Sequence, residues 1–497
     1  MKLLTRYSAA ALLVLMIACE SPREDAATEA PPNIVYILAD DLGYGELGSY
    51  GQTKIKTPHL DRLAAEGLRF TQHYSGSPVC APSRCTLLTG KHTGHCLVRD
   101  NYELGGFADD EERGQLPLPP GAFTLGRMLQ NQGYATAAIG KWGLGGPGST
   151  GIPNEQGFDL FYGYLDQKQA HNYYPTHLWR NTAWDTLRNA YFHPHQKLEG
   201  DENDPASYEP YKGQDYAADL MADEAVQFIR DHKDRPFFLY LPFPIPHVAL
   251  QVPDEELAQY DGAFEETPYK GEKGYLPHPR PLSAYAAMIS RMDAHIGRIM
   301  ALLDELGLDD NTLVMFSSDN GPTYAGGVDA AFFESAGPLR EMKGSVYEGG
   351  IRVPMIARWP GRIAPGATTD HVSAFWDVVP TLAEITGATP PADIDGVSFL
   401  PTLLGQGEQA PSSELYWEYH GRNWNGAQAV RLGDWKGVRH GGHDDPNAPI
   451  ELYNLATDIG EQHDVAAEHP DVVAQIKAIM DSRTVSEIER WNFATGE

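Results

Sequence analysis

The chain has 497 residues, 42% of them hydrophobic, so it is long enough to form a large core and more than one domain. It contains 38 Lys and Arg against 68 Asp and Glu, which gives a formal net charge of −30. This excess of acid argues against a nucleic-acid-binding protein, because such proteins present a basic surface. It also opposes long-range attraction of anionic substrates, so a bound anion would need local cations or a metal ion.

The N-terminal segment has the pattern of an export signal, with two basic residues before a short apolar stretch at residues 9–18. The segment ending at Cys19 resembles a bacterial lipobox, in which Met16 is an imperfect match. We predict a lipoprotein-type signal peptide over residues 1–19 and a flexible tether over residues 20–32. We therefore expect an exported protein of a bacterium, either periplasmic or an outer-membrane or cell-surface lipoprotein, in contact with a membrane only through Cys19. A plain cleaved signal with an incidental cysteine is the alternative.

Four short apolar runs predict buried strands, and each run leads into polar residues. The runs are Ile34–Leu38 before Asp40 and Asp41, Ala135–Ile139 before Lys141, Phe237–Leu241 before His247, and Leu313–Phe316 before Asp319 and Asn320. Runs that are apolar at every position are typical of parallel strands covered on both faces. Helical stripes over residues 216–232 and 284–306 complete an α/β pattern with helices on both faces of a sheet. Since ligands bind beyond the carboxyl ends of such strands, we expect one shared site there.

Two other parts of the chain differ in composition. Residues 143–215 lack a clear period and are rich in aromatic residues, which predicts a long irregular insertion with a functional role. A polar stretch at residues 406–413 marks a boundary, so we predict a large domain over residues 33–405 and a smaller α+β domain over residues 406–497. In the smaller domain the predicted strands are 415–419, 428–431 and 434–436, and the predicted helix is 471–480.

The central motif is Cys80-Ala81-Pro82-Ser83-Arg84. It resembles the Cys-x-Pro-x-Arg signature of the type I sulfatases of the alkaline phosphatase superfamily. The resemblance runs from Pro32 onward and includes, in the same order, Gly140-Lys141-Trp142, Ser318-Asp319-Asn320-Gly321 and Gly433-Asp434-Trp435-Lys436. It implies an alkaline-phosphatase-like mixed sheet between helices, with the large domain as the catalytic one. It also implies hydrolysis of sulfate esters, and we expect a sulfated carbohydrate or polysaccharide as substrate.

The resemblance gives Cys80 a chemical role. In this family a formylglycine-generating enzyme oxidises the motif cysteine to formylglycine, and that enzyme is the expected partner in maturation. Hydrated formylglycine is a geminal diol, in which one hydroxyl attacks sulfur and deprotonation of the other then expels sulfate. A serine would form a sulfate ester that has no second hydroxyl to expel sulfate. An unmodified thiol is a poor partner for hard carboxylates. The alternative is a buried structural thiol.

By the same resemblance, four residues match the family's metal ligands, which bind together with the modified Cys80: Asp40, Asp41, Asp319 and Asn320. Three carboxylates and one amide form an all-oxygen set that suits Ca²⁺, with Mg²⁺ as the second choice. Without a cation, carboxylates this close would repel one another. The alternative is that both clusters cap turns at the start of loops.

The remaining expected site residues are cationic or titratable. The resemblance implies that Arg84 holds the formylglycine and that Lys141 and Lys343 bind sulfate oxygens. It also implies that His247 contacts sulfate and protonates the leaving oxygen. The alternatives are solvated surface lysines and a hydrogen-bonded core histidine.

The chain departs from the family at Gly143. Many sulfatases read Gly-Lys-Trp-His-Leu-Gly where this chain reads Gly140-Lys141-Trp142-Gly143-Leu144-Gly145, so a histidine that assists the formylglycine is absent. His171, in the aromatic insertion, is the nearest candidate to take part. We expect it to bind substrate through a sugar hydroxyl, while a catalytic base and a histidine packed among aromatic residues are the alternatives.

Two other functions remain open from the sequence. A phosphate or phosphonate ester hydrolase is the first, because sulfate and phosphate are both tetrahedral oxyanions. Such enzymes usually carry Ser or Thr as nucleophile and two metals, so Cys80 favours a sulfatase. The second is an inactive glycan-binding protein. The complete ligand set and both lysines argue against it, whereas Gly143 weakly favours it.

Overall fold

The computed structural model describes residues 30–421 and 425–494. The predicted signal peptide, Cys19 and nearly all of the tether lie outside these residues. In the part of the chain that is described, no helix is both long and apolar enough to cross a membrane.

Strands and helices alternate along most of the chain. The strands are β1 (Asn33–Asp40), β2 (Leu68–Tyr74), β3 (Ala135–Lys141), β4 (Leu160–Tyr164), β5 (His177–Arg180), β6 (Ala183–Thr186), β7 (Phe237–Pro246), β8 (Thr312–Ser318), β9 (Arg352–Arg358), β10 (Ala367–Thr369), β11 (Ser373–Ala374), β12 (Leu415–Tyr419), β13 (Ala427–Leu432), β14 (Trp435–Arg439) and β15 (Ile450–Asn454). The helices are α1 (Pro58–Ala65), α2 (Cys80–Thr89), α3 (Leu125–Asn131), α4 (Ala217–Asp231), α5 (Asp254–Leu257), α6 (Pro281–Glu305), α7 (Glu348–Ile351), α8 (Val378–Thr386), α9 (Leu400–Leu404) and α10 (Pro470–Asp481).

The large sheet has the strand order β10-β2-β9-β8-β1-β7-β3-β4-β5-β6, with β11 also paired to β2. Its centre is parallel, because β1 pairs with β7 and β8 in parallel and β3 pairs with β7 in the same sense. Strand β9 runs antiparallel to both β8 and β2. The sheet is therefore mixed, as the family resemblance implies.

Both faces of this sheet are covered by helices. On β1, Val35 and Ile37 pack in one core together with residues of α1, α4 and α6. Ile34, Tyr36 and Leu38 point the other way, into a core that includes residues of α2, α3 and α8. Since successive side chains of a strand face opposite sides, a strand buried on both faces must be apolar at every position. This explains the continuous apolar runs in the sequence.

The aromatic insertion is more regular than its sequence indicates. Strand β4 pairs in parallel with β3, and β5 and β6 then extend the same sheet in antiparallel fashion. The prediction of one long irregular segment over residues 143–215 is therefore wrong for these strands. They have only four or five residues each, which is too short for a recognisable alternation of apolar and polar positions.

The C-terminal part forms a separate antiparallel sheet in the order β12-β13-β14-β15. Ile476 and Met480 of α10 pack on one face of this sheet. On the other face Trp417 lies in a core shared with the large sheet, and its Nε1 donates to the carbonyl of Ser75 at 2.8 Å. A smaller C-terminal α+β domain is confirmed, and β15 is added to the predicted strands. The boundary between residues 405 and 406 stays a prediction.

The register of the central strands brings their carboxyl ends to one edge. Ala39 lies opposite Ser318 of β8, and Asp40 lies opposite Pro246 of β7. Lys141 is the last residue of β3, on the far side of β7. The polar residues at the carboxyl ends of these strands therefore lie close together at one edge of the sheet.

Candidate active site

Two consecutive carboxylates, Asp40 and Asp41, stand at the end of the central strand. Side chains alternate between the two faces of a strand, so consecutive residues normally diverge. Asp41 instead adopts a left-handed backbone conformation with φ of 68°, which is uncommon for a residue other than glycine and turns the chain out of the strand. Ligand atoms of Asp40, Asp41, Cys80 and His247 then all lie within 4.8 Å of one another.

Cys80 is the first residue of α2 and is buried at the centre of this group. Its Sγ lies 3.5 Å from Lys141 Nζ, 3.6 Å from Lys343 Nζ and 3.5 Å from Asp40 Oδ1. Burial raises the pKa of the thiol to about 12, although both lysines act in the opposite direction. The unmodified side chain is therefore a protonated thiol at neutral pH, which is a poor nucleophile.

Arg84 follows Cys80 by one turn of α2 and lies on the same face of that helix. Its Nη2 is 2.8 Å from Asp319 Oδ2 and 3.2 Å from Asp40 Oδ2, and its Nη1 donates to the carbonyl of Lys141. Burial lowers the pKa of Arg84, but the two carboxylates raise it more, so the guanidinium remains charged. Arg84 therefore contacts residues at the carboxyl ends of β1, β3 and β8.

The two lysines differ in exposure. Lys141 Nζ lies 2.6 Å from Asp40 Oδ2 and its side chain is 1% exposed. Lys343 Nζ lies 2.8 Å from Asp41 Oδ1 and its side chain is 18% exposed. Lys141 thus lies at the buried end of the site and Lys343 lies nearer to solvent. An anion that enters the site can contact both amino groups.

The donor set fits a hard cation. Asn320 Nδ2 donates to Asp41 Oδ1 at 2.8 Å, while Asn320 Oδ1 is buried and has no hydrogen-bond partner among the described residues. Burial and the charge of Asp40 raise the pKa of Asp319 to about 6, and burial also raises the pKa of Asp41. A cation bound by these oxygens would satisfy the amide oxygen and relieve the crowded carboxylates.

The local charge explains how an acidic protein can hold an anion. Three carboxylates, Asp40, Asp41 and Asp319, are offset by Arg84, Lys141 and Lys343. A divalent cation added to this balanced group leaves a net positive site. Short-range attraction in a buried site is screened less than surface charge, so it opposes the unfavourable field of the whole molecule.

His247 is buried beside the carboxylates. Its Nδ1 lies 2.6 Å from the carbonyl of Val248, and its Nε2 lies 3.8 Å from Asp41 Oδ2. Burial and the charges of Lys141 and Lys343 lower its pKa well below the ordinary value. The ring is neutral in this state and presents Nε2 to the site.

His171 reaches the same site from the aromatic insertion. Its ring stacks on His247 with centroids 5.1 Å apart, and its Nδ1 lies 2.9 Å from His195 Nε2. Tyr275 and Phe107 complete the surroundings, at 5.0 and 5.6 Å between ring centroids. The structure therefore brings His171 to the other site residues.

Sequence reasoning missed His195, Tyr275 and Gln167. The pair His193 and His195 within the insertion was a signal for His195, whereas nothing in the sequence marks the other two. Gln167 occupies the space that a side chain at position 143 would need. Gly143 has φ of 85°, and a Cβ on it would lie 2.1 Å from Gln167 Nε2 and 2.7 Å from Gln167 Cγ. The space beside Gly143 is thus filled by the Gln167 side chain.

Comparison with known proteins identifies the family. The sequence matches the family described as Sulfatase over residues 32–388, and the one described as N-sulphoglucosamine sulphohydrolase, C-terminal, over residues 342–487. It is 35% identical over 486 residues to arylsulfatase A of Homo sapiens, covering 91% of this chain and 88% of that protein. The chain belongs to the sulfatase family.

This sulfatase is also similar to a bacterial relative and to a solved structure. It is 30% identical over 538 residues to N-acetylgalactosamine-6-O-sulfatase of Bacteroides thetaiotaomicron, covering 95% of this chain and 97% of that protein. It matches the crystal structure of Ps i-CgsB in complex with k-i-k-neocarrahexaose with a TM-score of 0.74 and 28% identity, covering 91% and 92% of the two chains. The family and fold expected from the sequence are confirmed, and the protein is a sulfuric ester hydrolase.

Proposed function

We propose that this sulfatase hydrolyses sulfate esters of a sulfated carbohydrate by means of a formylglycine derived from Cys80 and a bound Ca²⁺. The position of Cys80 carries the proposal. Its Sγ lies within 3.6 Å of two lysine amino groups and beside Asp40, at the start of the helix that also supplies Arg84. The hydrated aldehyde would supply an oxygen ligand and a nucleophile where the thiol supplies neither.

Asp40, Asp41, Asp319 and Asn320 would hold the cation, together with the modified Cys80. Carboxylate and amide oxygens favour Ca²⁺, with Mg²⁺ as the second choice. The cation supplies positive charge that lowers the pKa of a bound hydroxyl and offsets charge on the sulfate oxygens. Arg84 fixes Asp40 and Asp319 in place by its two ion pairs.

The other residues bind and orient the ester. Lys141 and Lys343 would contact sulfate oxygens, because their amino groups flank Cys80 Sγ. His247 would contact sulfate and protonate the leaving oxygen through Nε2. Because its Nδ1–H donates to a carbonyl, Nε2 holds a lone pair in the neutral ring and would take up that proton before passing it on. His171 would bind the substrate beside it.

The named relatives support a sugar substrate. The Bacteroides thetaiotaomicron relative is an N-acetylgalactosamine-6-O-sulfatase, and the Ps i-CgsB structure contains k-i-k-neocarrahexaose. We propose that this protein is exported by a bacterium, anchored by a lipid at Cys19 and matured by a formylglycine-generating enzyme.

The test is hydrolysis by protein produced together with the modifying enzyme. Sulfate release from an aryl sulfate should exceed phosphate release from the matching aryl phosphate, and Cys80→Ala should release neither. A panel of defined sulfated galactose and N-acetylgalactosamine oligosaccharides then identifies the sugar and the sulfate position. Faster phosphate release would contradict the proposal, and activity confined to aryl sulfates would contradict the sugar substrate.

A further inference from the structure

A chain of hydrogen bonds connects the backbone of Tyr275 to His171. The N–H of Tyr275 lies 3.1 Å from His195 Nδ1, and His195 Nε2 lies 2.9 Å from His171 Nδ1. A backbone N–H can only donate, so His195 Nδ1 accepts and the hydrogen of the neutral His195 ring is on Nε2. That N–H donates to His171 Nδ1. The hydrogen of a neutral His171 must then be on its Nε2.

Both rings of this chain are neutral. Burial, with a smaller contribution from His193, lowers the pKa of His195 to about 4. Burial lowers the pKa of His171 well below its ordinary value, and His247, His195, Lys141 and Lys343 lower it further. The assignment of hydrogens therefore holds at neutral pH.

His247 has the opposite arrangement. A carbonyl can only accept, so the contact with Val248 places the hydrogen of His247 on Nδ1 and leaves Nε2 with a lone pair. The rings of His247 and His171 are stacked, with an angle of 22° between their planes. The site thus has two adjacent imidazoles, of which one offers a fixed N–H and the other an acceptor nitrogen.

We infer that His171 is a neutral hydrogen-bond donor, through Nε2–H, to an oxygen of the bound sulfate ester, and that His195 is a positioning residue that holds it in this tautomer. The inference rests on the proposed sulfatase function. A base would need the lone pair on Nε2, so the geometry opposes the catalytic base considered for His171. The insertion thereby provides an imidazole to a site whose sequence has glycine at position 143.

The first test changes the positioning residue. In His195→Gln the amide can still donate to His171 and its carbonyl can accept from Tyr275, whereas His195→Leu removes both bonds. We expect kcat/KM to fall by about tenfold in His195→Leu, the usual effect of losing one hydrogen bond to a buried group, and to be largely retained in His195→Gln. The control is His463→Gln, because His463 lies in the C-terminal domain with a side chain that is 83% exposed, and this variant should leave kcat/KM unchanged. Equal loss in the Leu and Gln variants would overturn the role of His195.

The second test distinguishes a donor from a base at His171. His171→Gln keeps an N–H donor and should retain more kcat/KM than His171→Leu. A base would be lost equally in both variants, and each would release alcohol in a single burst and then stop. That result, or unchanged kinetics in both variants, would overturn the inference.

The third test needs no turnover and therefore separates this inference from the sulfatase proposal. Nitrogen-15 NMR of labelled protein should show a protonated Nε2 and an unprotonated Nδ1 for His171, assigned by the signal lost in His171→Gln. In His195→Leu the two tautomers should mix, and in His195→Gln they should not. A His171 protonated on Nδ1 in the wild type would refute the assignment even in an active enzyme.

Discussion

At the scale of single residues, the proposed chemistry depends on Cys80. Replacing it by Ala removes the nucleophile from a position where a small side chain is easily accommodated. We expect Cys80→Ala to fold normally and to lose sulfatase activity by on the order of 10⁴-fold or more, as expected for removal of a nucleophile. Cys85→Ala is the control, because this buried thiol lies on α2 within the core. Mass spectrometry of the tryptic peptide from Phe70 to Arg84 should show the aldehyde, and full activity with an intact thiol would contradict the mechanism.

Gly143 gives a second prediction at this scale. Restoring the family's histidine with Gly143→His should lower the melting temperature and should not raise activity. A left-handed backbone costs a residue with a side chain roughly 1–2 kcal/mol, and the Cβ would also meet Gln167. Gly121→His isolates the backbone part, since Gly121 has φ of 72° and no atom within 4 Å of its Cβ position. A Gly143→His variant as stable as Gly121→His would show that Gln167 moves aside freely.

The motif residues of the site could be proposed from the sequence, because each lies within a short pattern that resembles a family motif. The chain from Tyr275 through His195 to His171 could not. It joins residues up to about a hundred positions apart through ring nitrogens, and no periodicity or spacing encodes which nitrogen accepts.

At the scale of secondary-structure elements, Lys436 of β14 links the two sheets. Its Nζ is fully buried, 2.8 Å from Glu348 Oε1 of α7 and 3.0 Å from Glu461 Oε1. Lys436→Met should destabilise the protein by about 3–5 kcal/mol, because it leaves buried Glu461 without the cation of its ion pair, whereas Glu348 keeps Arg352 at 3.2 Å. Thermal unfolding measures this. Lys477→Met removes an exposed pair with Asp481 and should change stability by about 0.5 kcal/mol or less, so equal effects would contradict the prediction.

The elements differ in how far the sequence could predict them. The central strands and the long helix α6 were predictable because a fully covered sheet demands unbroken apolar runs and a covering helix demands a stripe. Strands β4, β5 and β6 were not, because their pairing is decided by the neighbouring strand β3 rather than by their own few residues.

At the scale of the whole molecule, the cation should stabilise the fold. A chelator should abolish activity and lower the melting temperature, and Ca²⁺ should restore both. At a hundredfold excess over Kd, binding adds about 2.7 kcal/mol. Asp41→Asn weakens the ligand set and should make the melting temperature less sensitive to the chelator. Zinc in the purified protein, or a chelator without effect, would contradict the assigned ligands.

The net charge of −30 should also affect substrate capture. Raising the ionic strength from about 0.01 to 0.15 M shortens the Debye length from about 30 to 8 Å, which screens repulsion between the surface and a polyanionic glycan. The value of kcat/KM for a highly sulfated oligosaccharide should therefore rise severalfold, and that for a monosulfated aryl ester should rise less. A steep fall for the oligosaccharide would indicate that local cations dominate its approach.

The order of the central strands limits the time during which Cys80 is accessible for modification. Strand β1 lies between β7 and β8, so the nascent chain cannot complete its central sheet until Ser318 has been made. Cys80 is only 1% exposed in the finished fold, which leaves a modifying enzyme no access to it. At about 5–20 residues per second, the ribosome needs roughly 10–50 seconds to travel from Cys80 to the end of β8. The conversion of Cys80 that the proposed function requires therefore belongs to that interval, and to any later period in which the chain is kept unfolded.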